Sequence, residues 1–394
     1  MDLSYSAEHE AFRSEVRAFA AEHASDAPHG AAPSLAAMRA WQALLIEHGY
    51  AARTIPKEYG GYGAKPDILK SRIIAEEFIA VGLPMAMANQ GISMLVPTLL
   101  ELGTEEQKQK WIGPTLRGEV IWCQGYSEPG AGSDLAAIST NAREEGDDFV
   151  INGQKIWTST AAQADMIFCL VRTEPDKPKH EGISYLLFSM KTPGIEVRPL
   201  VTMTGRAEFN EVFFTDVRVP KSQIVGGRGQ GWFVANATLR HERGMLGDPN
   251  QAGTRIKALT DLMMNEEVDG RRLMDNPVYR DRLLKLQARA MAMEYHGLRL
   301  LTASAKKEDA LLPRLIVKLM GCELNHQLAG FAIDALGELG ILTGDSPHQR
   351  NNGAWQTNFM FDLGLIIGGG TAQIQKNIIS ERALGMPREP KAAV

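Results

Sequence analysis

Apolar residues change their spacing twice along this chain, and that double change limits the possible fold more than any other feature. Up to about residue 120 they recur at helical intervals, as in Phe12, Val16, Phe19 and Ala20. From 121 to about 222 come short runs rich in β-branched and aromatic residues: MIFCLVRT, GISYLLFSM, GIEVRPL and EVFFTDVRV, separated by Pro, Gly and charged clusters. From Gly231 the helical period returns, in segments near 232–246, 253–266, 278–305, 313–340 and 371–383. The pattern predicts an α+β chain, mostly α, with a helical domain at 1–120, an antiparallel β domain at 121–225 and a helical domain at 226–394. Thr104 followed by Gln107 has the spacing of a capping box. In FVI-NG-QKIW, Asn152-Gly153 reads as a two-residue hairpin turn.

Charge and cysteine content remove several function classes. The formal net charge of the 394 residues is -5 with both signs interspersed, which argues against a nucleic-acid partner. Cys123, Cys169 and Cys322 stand far apart without a CxxC pair, so neither a metal site nor a disulfide framework is expected. The opening MDLSYSAEHEAF is acidic where a signal or transit peptide would be basic and apolar, and no apolar run has the length of a membrane span. A cytoplasmic protein with reduced thiols and no membrane contact is expected.

Several segments carry chemistry-bearing residues, each with a plainer reading beside it. QGYSEPGAGSDL (124–135) supplies hydroxyls at Ser127 and Ser133 and small residues at Gly130 and Gly132, which suit phosphate or ring atoms; alone, a polar interdomain loop is the better reading. GQKIWTST (153–160) places Trp157 and Ser159 on one face of a strand, where they flank a flat cofactor or simply close a core. GGRGQGW (226–232) lacks the GxGxxG spacing and follows a β segment that reads as antiparallel, so it is a turn into a helix. LRHERG (239–244) carries His241, Glu242 and Arg243 on a helix, as a general base or, more commonly, as a solvated face. GGGTAQIQ (368–375) sets glycines before a helix with Thr371 near its N-cap, which fits either an anion or carbonyl site or a plain capped loop. There is no GxSxG, no HExxH and no P-loop.

Taken in order, PKEYGGYG (56–63), GTEEQKQKW (103–111), QGYSEPGAGSDL, NGQKIWTS (152–159), FNEVFFTDVRVP (209–220), LRHERG and GGGTAQIQKNIISERALGMPR (368–388) resemble the acyl-CoA dehydrogenase family over nearly the whole chain. The resemblance implies an α-helical domain, a small β-barrel-like domain and a C-terminal four-helix bundle. It implies a homotetramer or homodimer, with FAD bound between domains and across a subunit interface, an acyl-CoA substrate and an electron-transfer flavoprotein as acceptor. It places Gln124, Ser127, Gly132 and Ser133 at the cofactor, Ser127 at the flavin pyrimidine edge and Ser133 at the pyrophosphate. Trp157 and Ser159 would border the isoalloxazine, and Thr371 and Gln373 would lie near the FAD of a neighbouring subunit. Many members have an arginine in an RxxFG pattern; the matching stretch here reads RRLMDNPVYRDR.

In the family, a carboxylate takes the α-proton of the thioester while the β-hydrogen leaves as hydride to the flavin. Where many members read EGT, this chain reads Gly369-Gly370-Thr371, so Gly369 contributes a backbone N–H to the thioester carbonyl but no base. Isovaleryl-CoA and long-chain acyl-CoA dehydrogenases carry the base on an earlier helix in an ER pair. Glu242-Arg243 stands at that place, which assigns the base to Glu242 and a supporting role to Arg243. Relatives without a base include a CoA-thioester desulfinase and flavin monooxygenases, and others are non-catalytic subunits of heteromers. These remain the alternatives.

Overall fold

A computed structural model of the chain describes residues 5–30, 33–242, 247, 249–268, 270–306, 308, 310–344, 346–388 and 390, with main chain only at 242, 249 and 250. The chain divides into two compact units: Met1–Val201 with Ala207–His241, and Thr202–Arg206 with Glu242–Val394.

The first unit opens with α1 (Ala7–His23), capped by the Ser6 hydroxyl, which accepts from the His9 N–H, and burying Phe12, Val16, Phe19 and Ala20 as their spacing requires. With α2 (Leu35–Glu47) and α3 (Ile68–Ala80) it encloses a core around Phe19, Trp41 and Phe78. A π-helical turn at Gly91–Leu95 leads into α4 (Val96–Leu102). In α5 (Glu105–Leu116) both halves of the expected capping box form: the Gln107 N–H donates to Thr104 Oγ1, and the Thr104 N–H to Gln107 Oε1.

The chain then runs through β1 (Trp122–Gly125), β2 (Asn141–Glu145), β3 (Asp148–Lys155), β4 (Met166–Arg172), β5 (Ile183–Ser189), β6 (Ile195–Leu200), β7 (Phe209–Pro220) and β8 (Ile224–Val225). They form one sheet in the order β6-β7-β3-β2-β4-β5-β8, mostly antiparallel, with β1 added in parallel to β4. The run MIFCLV in β4 is uninterruptedly apolar because both its faces are covered. Phe168 and Leu170 join a core shared with Leu95, Leu99, Ile112 and Trp122, while Ile167, Cys169 and Val171 join Phe149, Phe188 and Phe214 on the other side. The cysteines are free and buried. The glycine-rich stretch 226–232 turns into α6 (Gly231–Glu242) after a strand that pairs antiparallel with β5, so no βαβ unit is formed.

Asn152-Gly153 is not a hairpin turn. Both residues lie inside β3: Asn152 faces Asn141 on one side, and on the other a bulge separates Ile151 from Gly153, which faces Phe214. The hairpin turn between β2 and β3 sits instead at Gly146-Asp147, with Glu145 paired to Asp148. The Asn152 amide is drawn into this arrangement, donating to Asp216 Oδ1 at 3.0 Å and accepting from the Asp216 N–H at 3.0 Å.

The second unit is built on α7 (Pro249–Asn265), α8 (Pro277–Lys306), α9 (Leu311–Leu336) and α10 (Ala354–Ile367), with α9 touching each of the other three. Their shared core includes Leu259, Leu283, Leu324, Phe331 and Trp355. Arg255 of α7 pairs with the fully buried Asp362 of α10. Helix α10 was not foreseen, since its segment AWQTNFMFDLGLII is apolar nearly all round and shows no single face. After Gly368–Gly370 comes α11 (Ala372–Ile378), continued by a π-helical turn at Ile379–Ala383. Among the described residues no helix is long and apolar enough to cross a membrane, and no group of three His, Cys, Asp or Glu residues is placed to hold a metal ion.

Candidate active site

In the first unit, β1 delivers the chain to a tight turn closed by the Glu128 N–H on the Ala131 carbonyl (3.1 Å) and the Ala131 N–H on the Glu128 carbonyl (3.0 Å). The Glu128 carboxylate, 5% exposed, folds beneath this turn. It accepts from the Ser139 N–H (2.6 Å) and hydroxyl (2.8 Å), the Thr140 N–H (3.0 Å) and the Lys155 ammonium (2.7 Å). Burial pushes this carboxyl up; Lys155 and the hydrogen bonds outweigh that and hold it at about 2. Lys155, itself fully buried, also donates to the Tyr126 carbonyl at 3.1 Å. The Ile156 N–H reaches the Ser127 carbonyl at 2.9 Å, so Ser127 is stapled beside the residue before Trp157.

All of Glu128's bonds point inward. Ser127 is left half-buried, and Gly130, Gly132 and Ser133 are exposed. A Cβ placed on Gly130 or Gly132 would meet nothing within 4 Å. Gln124, at the end of β1, is half-buried, with its Oε1 3.5 Å from Gln90 Nε2.

Trp157 and Ser159 do not alternate on a strand. Strand β3 ends at Lys155, and Trp157 (φ +60°) and Thr160 (φ +60°) both take the left-handed conformation. Pairing resumes only at Thr158, which exchanges two 3.0 Å main-chain bonds with Asn210. This break turns the Trp157 indole outward, 57% exposed and edge-on to Phe209. A bulky residue held at positive φ marks a place where the surroundings over-determine the backbone. Beside it the Thr158 hydroxyl and the Asn210 Oδ1 are buried with no hydrogen-bond partner.

In the second unit, Gly369 (φ +63°) and Gly370 (φ +93°) make the turn into α11, a conformation open to glycine at no steric cost. Thr371 is the N-cap, accepting from the Ile374 N–H at 3.2 Å, and Gln373 is exposed. The turn's carbonyls are held from inside. Gln375 Nε2 donates to Gly369 (3.2 Å), and the Lys318 ammonium of α9 donates to Ile366 (3.1 Å) and Gly370 (2.6 Å).

Glu242 is the last residue of α6; its side chain and the whole of Arg243 lie outside the described residues. Their neighbour His241 is half-buried, with its imidazole pushed down by burial and by Arg240. Arg271 and Arg272, from the stretch without FG, pair with Glu267 and Val268 in a short ribbon, and Arg272 is held on Asp275. The supporting residues Glu128, Lys155 and Lys318 were missed in the sequence. The available signal was a lone lysine within an apolar segment, as in INGQKIW and LIVKLM.

The N-terminal, middle and C-terminal domain profiles of acyl-CoA dehydrogenases match residues 6–119, 123–217 and 229–384. The acyl-CoA dehydrogenase IpdE1 of Mycobacterium tuberculosis is 37% identical over 90% of this chain and 89% of its own length. The human mitochondrial short-chain specific acyl-CoA dehydrogenase is 30% identical over 85% of this chain and 80% of its own. Among solved structures, a chain of the ChsE4-ChsE5 complex from Mycobacterium tuberculosis superposes with a TM-score of 0.80 at 31% identity, covering 99% of this chain and 100% of that one. A chain of the Tcur3481-Tcur3483 steroid ACAD also gives 0.80, at 30% identity and 99% and 100% coverage. The chain belongs to the acyl-CoA dehydrogenase family, flavoprotein oxidoreductases that bind FAD and act on CH–CH bonds.

Proposed function

We propose that this protein removes one hydrogen from each of the α and β carbons of an acyl-CoA thioester, giving the 2-enoyl-CoA. The reading rests chiefly on the Gly368–Gly370 turn, whose carbonyls at 369 and 370 are tied down by Gln375 and Lys318. A backbone N–H at Gly369 then meets the thioester oxygen as charge develops there, which makes the α-proton acidic. Glu242 takes that proton, and Arg243 steadies its loop or its charge. Bound FAD supplies the acceptor for the β-hydride.

The residues present fit that cofactor. There is open space over Gly130 and Gly132, an outward Trp157 face, and unpartnered buried oxygens at Thr158 and Asn210. Gln124, Ser127, Gly132 and Ser133 hold FAD, Trp157 and Ser159 border its ring system, and Thr371 and Gln373 serve the FAD of a neighbouring subunit. The chain works as three domains, 1–120, 121–225 and 226–394, in a cytoplasmic homotetramer or homodimer that passes electrons to an electron-transfer flavoprotein. A base on the earlier helix, in place of one at Gly369, favours branched or longer acyl groups.

A second reading concerns assembly: one similar solved structure is of a ChsE4-ChsE5 complex, and another is called a Tcur3481-Tcur3483 steroid ACAD. On that reading the protein pairs with a sister chain and takes a steroid-bearing acyl group.

The test is anaerobic bleaching of the flavin by a panel of straight, branched and steroid-bearing acyl-CoAs, in wild type and Glu242→Gln. Wild type should bleach with at least one thioester, and the variant should bind it without bleaching. Sulfite release or oxygen uptake in place of bleaching would favour the desulfinase or monooxygenase alternatives, and bleaching of the variant at the wild-type rate would remove Glu242 as base.

A further inference from the structure

Three consecutive glycines are the least suitable backbone for a fixed dipole, because each residue has the widest conformational choice available to any chain. A donor that stabilises a developing oxyanion works only if it is already aimed. The turn at Gly368–Gly370 must therefore be held by something other than its own sequence. Four bonds from three groups hold it. The Gly368 N–H donates to the Gly364 carbonyl at 2.7 Å, which ties the turn to the end of α10. Gln375 ties the Gly369 carbonyl to α11. The Lys318 ammonium spans the turn, donating to the carbonyl of Ile366 before it and of Gly370 at its end.

Lys318 is 1% exposed, in the first third of α9. Lysine is among the residues least often buried, and an apolar side chain would fill the same space without the desolvation cost of an ammonium. Its place there is explained by what its donors grip. Gly247 also lies against this part of α9. A Cβ on Gly321 would fall 2.4 Å from the Gly247 carbonyl, and a Cβ on Gly247 would fall 2.6 Å from the Val317 carbonyl. The turn of α9 that carries Lys318 thus meets both Gly247 and the turn with the proposed carbonyl donor.

We infer that Lys318 is a positioning residue for the dehydrogenation: by gripping the carbonyls of Ile366 and Gly370 it fixes the Gly369 N–H against the thioester carbonyl. The inference rests on the proposed dehydrogenase chemistry. Its test uses the FAD-loaded oligomer and a thioester with an unusually acidic α-carbon, acetoacetyl-CoA, whose enolisation on the protein is followed by absorbance as a function of pH. Lys318→Met keeps the length of the side chain and removes the charge. It should bind acetoacetyl-CoA with nearly wild-type affinity but enolise it about ten- to a hundredfold less favourably, a midpoint one to two pH units higher. In turnover, kcat should fall by a similar factor with KM little changed. Lys318→Arg, which restores a cation with displaced donors, should fall between the two and serves as the readout if the methionine variant does not fold. A folded, FAD-loaded variant of either kind with the wild-type enolisation midpoint overturns the inference. Failure of the wild type itself to enolise the ligand or be bleached by any acyl-CoA would instead overturn the dehydrogenase reading beneath it.

Discussion

Glu128 keeps its charge where water does not reach it, and every one of its hydrogen bonds is spent on shape. The carboxylate joins the turn at Ser127, the start of β2 at Thr140 and the end of β3 at Lys155. Removing it leaves the Lys155 ammonium buried without its counter-charge, which costs about 3–5 kcal/mol in comparable pairs. Glu128→Gln should therefore lower the urea midpoint markedly and loosen FAD together with it. The pH dependence has a definite sign. With the folded carboxyl held at about 2, below its ordinary value, the stabilisation is complete above the ordinary carboxylate range and drains away as pH falls toward 2. Urea midpoints measured from pH 6 downward should fall more steeply in wild type than in Glu128→Gln; parallel curves would show that the pair contributes nothing. Nothing in the spacing of SEPGAGSDL marks its glutamate as structural while its serines face out. That division arises only when β3 brings Lys155 under the turn, a contact across 27 residues.

At the level of elements, the sequence was most legible where one face is buried and least where a special residue is needed for closeness. Phe12, Val16, Phe19 and Ala20 declare α1 because only one side of that helix meets the core. The strands at 166–172, 183–189, 195–200 and 209–220 declare themselves by β-branched and aromatic content. Asn152-Gly153 misled because a glycine serves a turn and a tight crossing equally well. Here a Cβ on Gly153 would sit 2.5 Å from Thr140 Oγ1 and 2.6 Å from its Cα, and φ is +150°. Trp157 misled for the opposite reason, since its strand-like surroundings hide a left-handed kink. Two glycine substitutions separate these roles. Gly153→Ala should destabilise the fold by about 1–3 kcal/mol, because either Thr140 or β3 must move. Gly130→Ala, with open space around it, should stay within about 0.5 kcal/mol of wild type by the same urea titration. If the space over Gly130 is where FAD lies, the second variant nevertheless weakens FAD binding; unchanged FAD affinity in Gly130→Ala would move the cofactor away from this loop.

For the whole molecule the open question is whether one chain suffices for its cofactor. Gln373 is exposed on α11, and Thr371 already uses its oxygen as the helix cap, which leaves its O–H proton to donate outward. If these groups complete the FAD site of a neighbouring subunit, cofactor retention becomes a property of the oligomer, and binding and assembly stabilise each other by mass action. Dilution then provides the discriminating measurement. Flavin fluorescence and single-particle mass, followed together as the protein is diluted, should show FAD released at the concentration where the oligomer comes apart. Gln373→Ala should move both transitions to higher protein concentration, by about tenfold if it removes one hydrogen bond of ordinary strength. Monomers that keep their FAD would mean that residues 124–133 and 157–159 hold it unaided, and Thr371 and Gln373 would then be features of α11 alone. The same dilution run, repeated with protein co-expressed beside a candidate sister chain, decides between like and unlike partners, because only the correct assembly carries the cofactor to the lowest concentration.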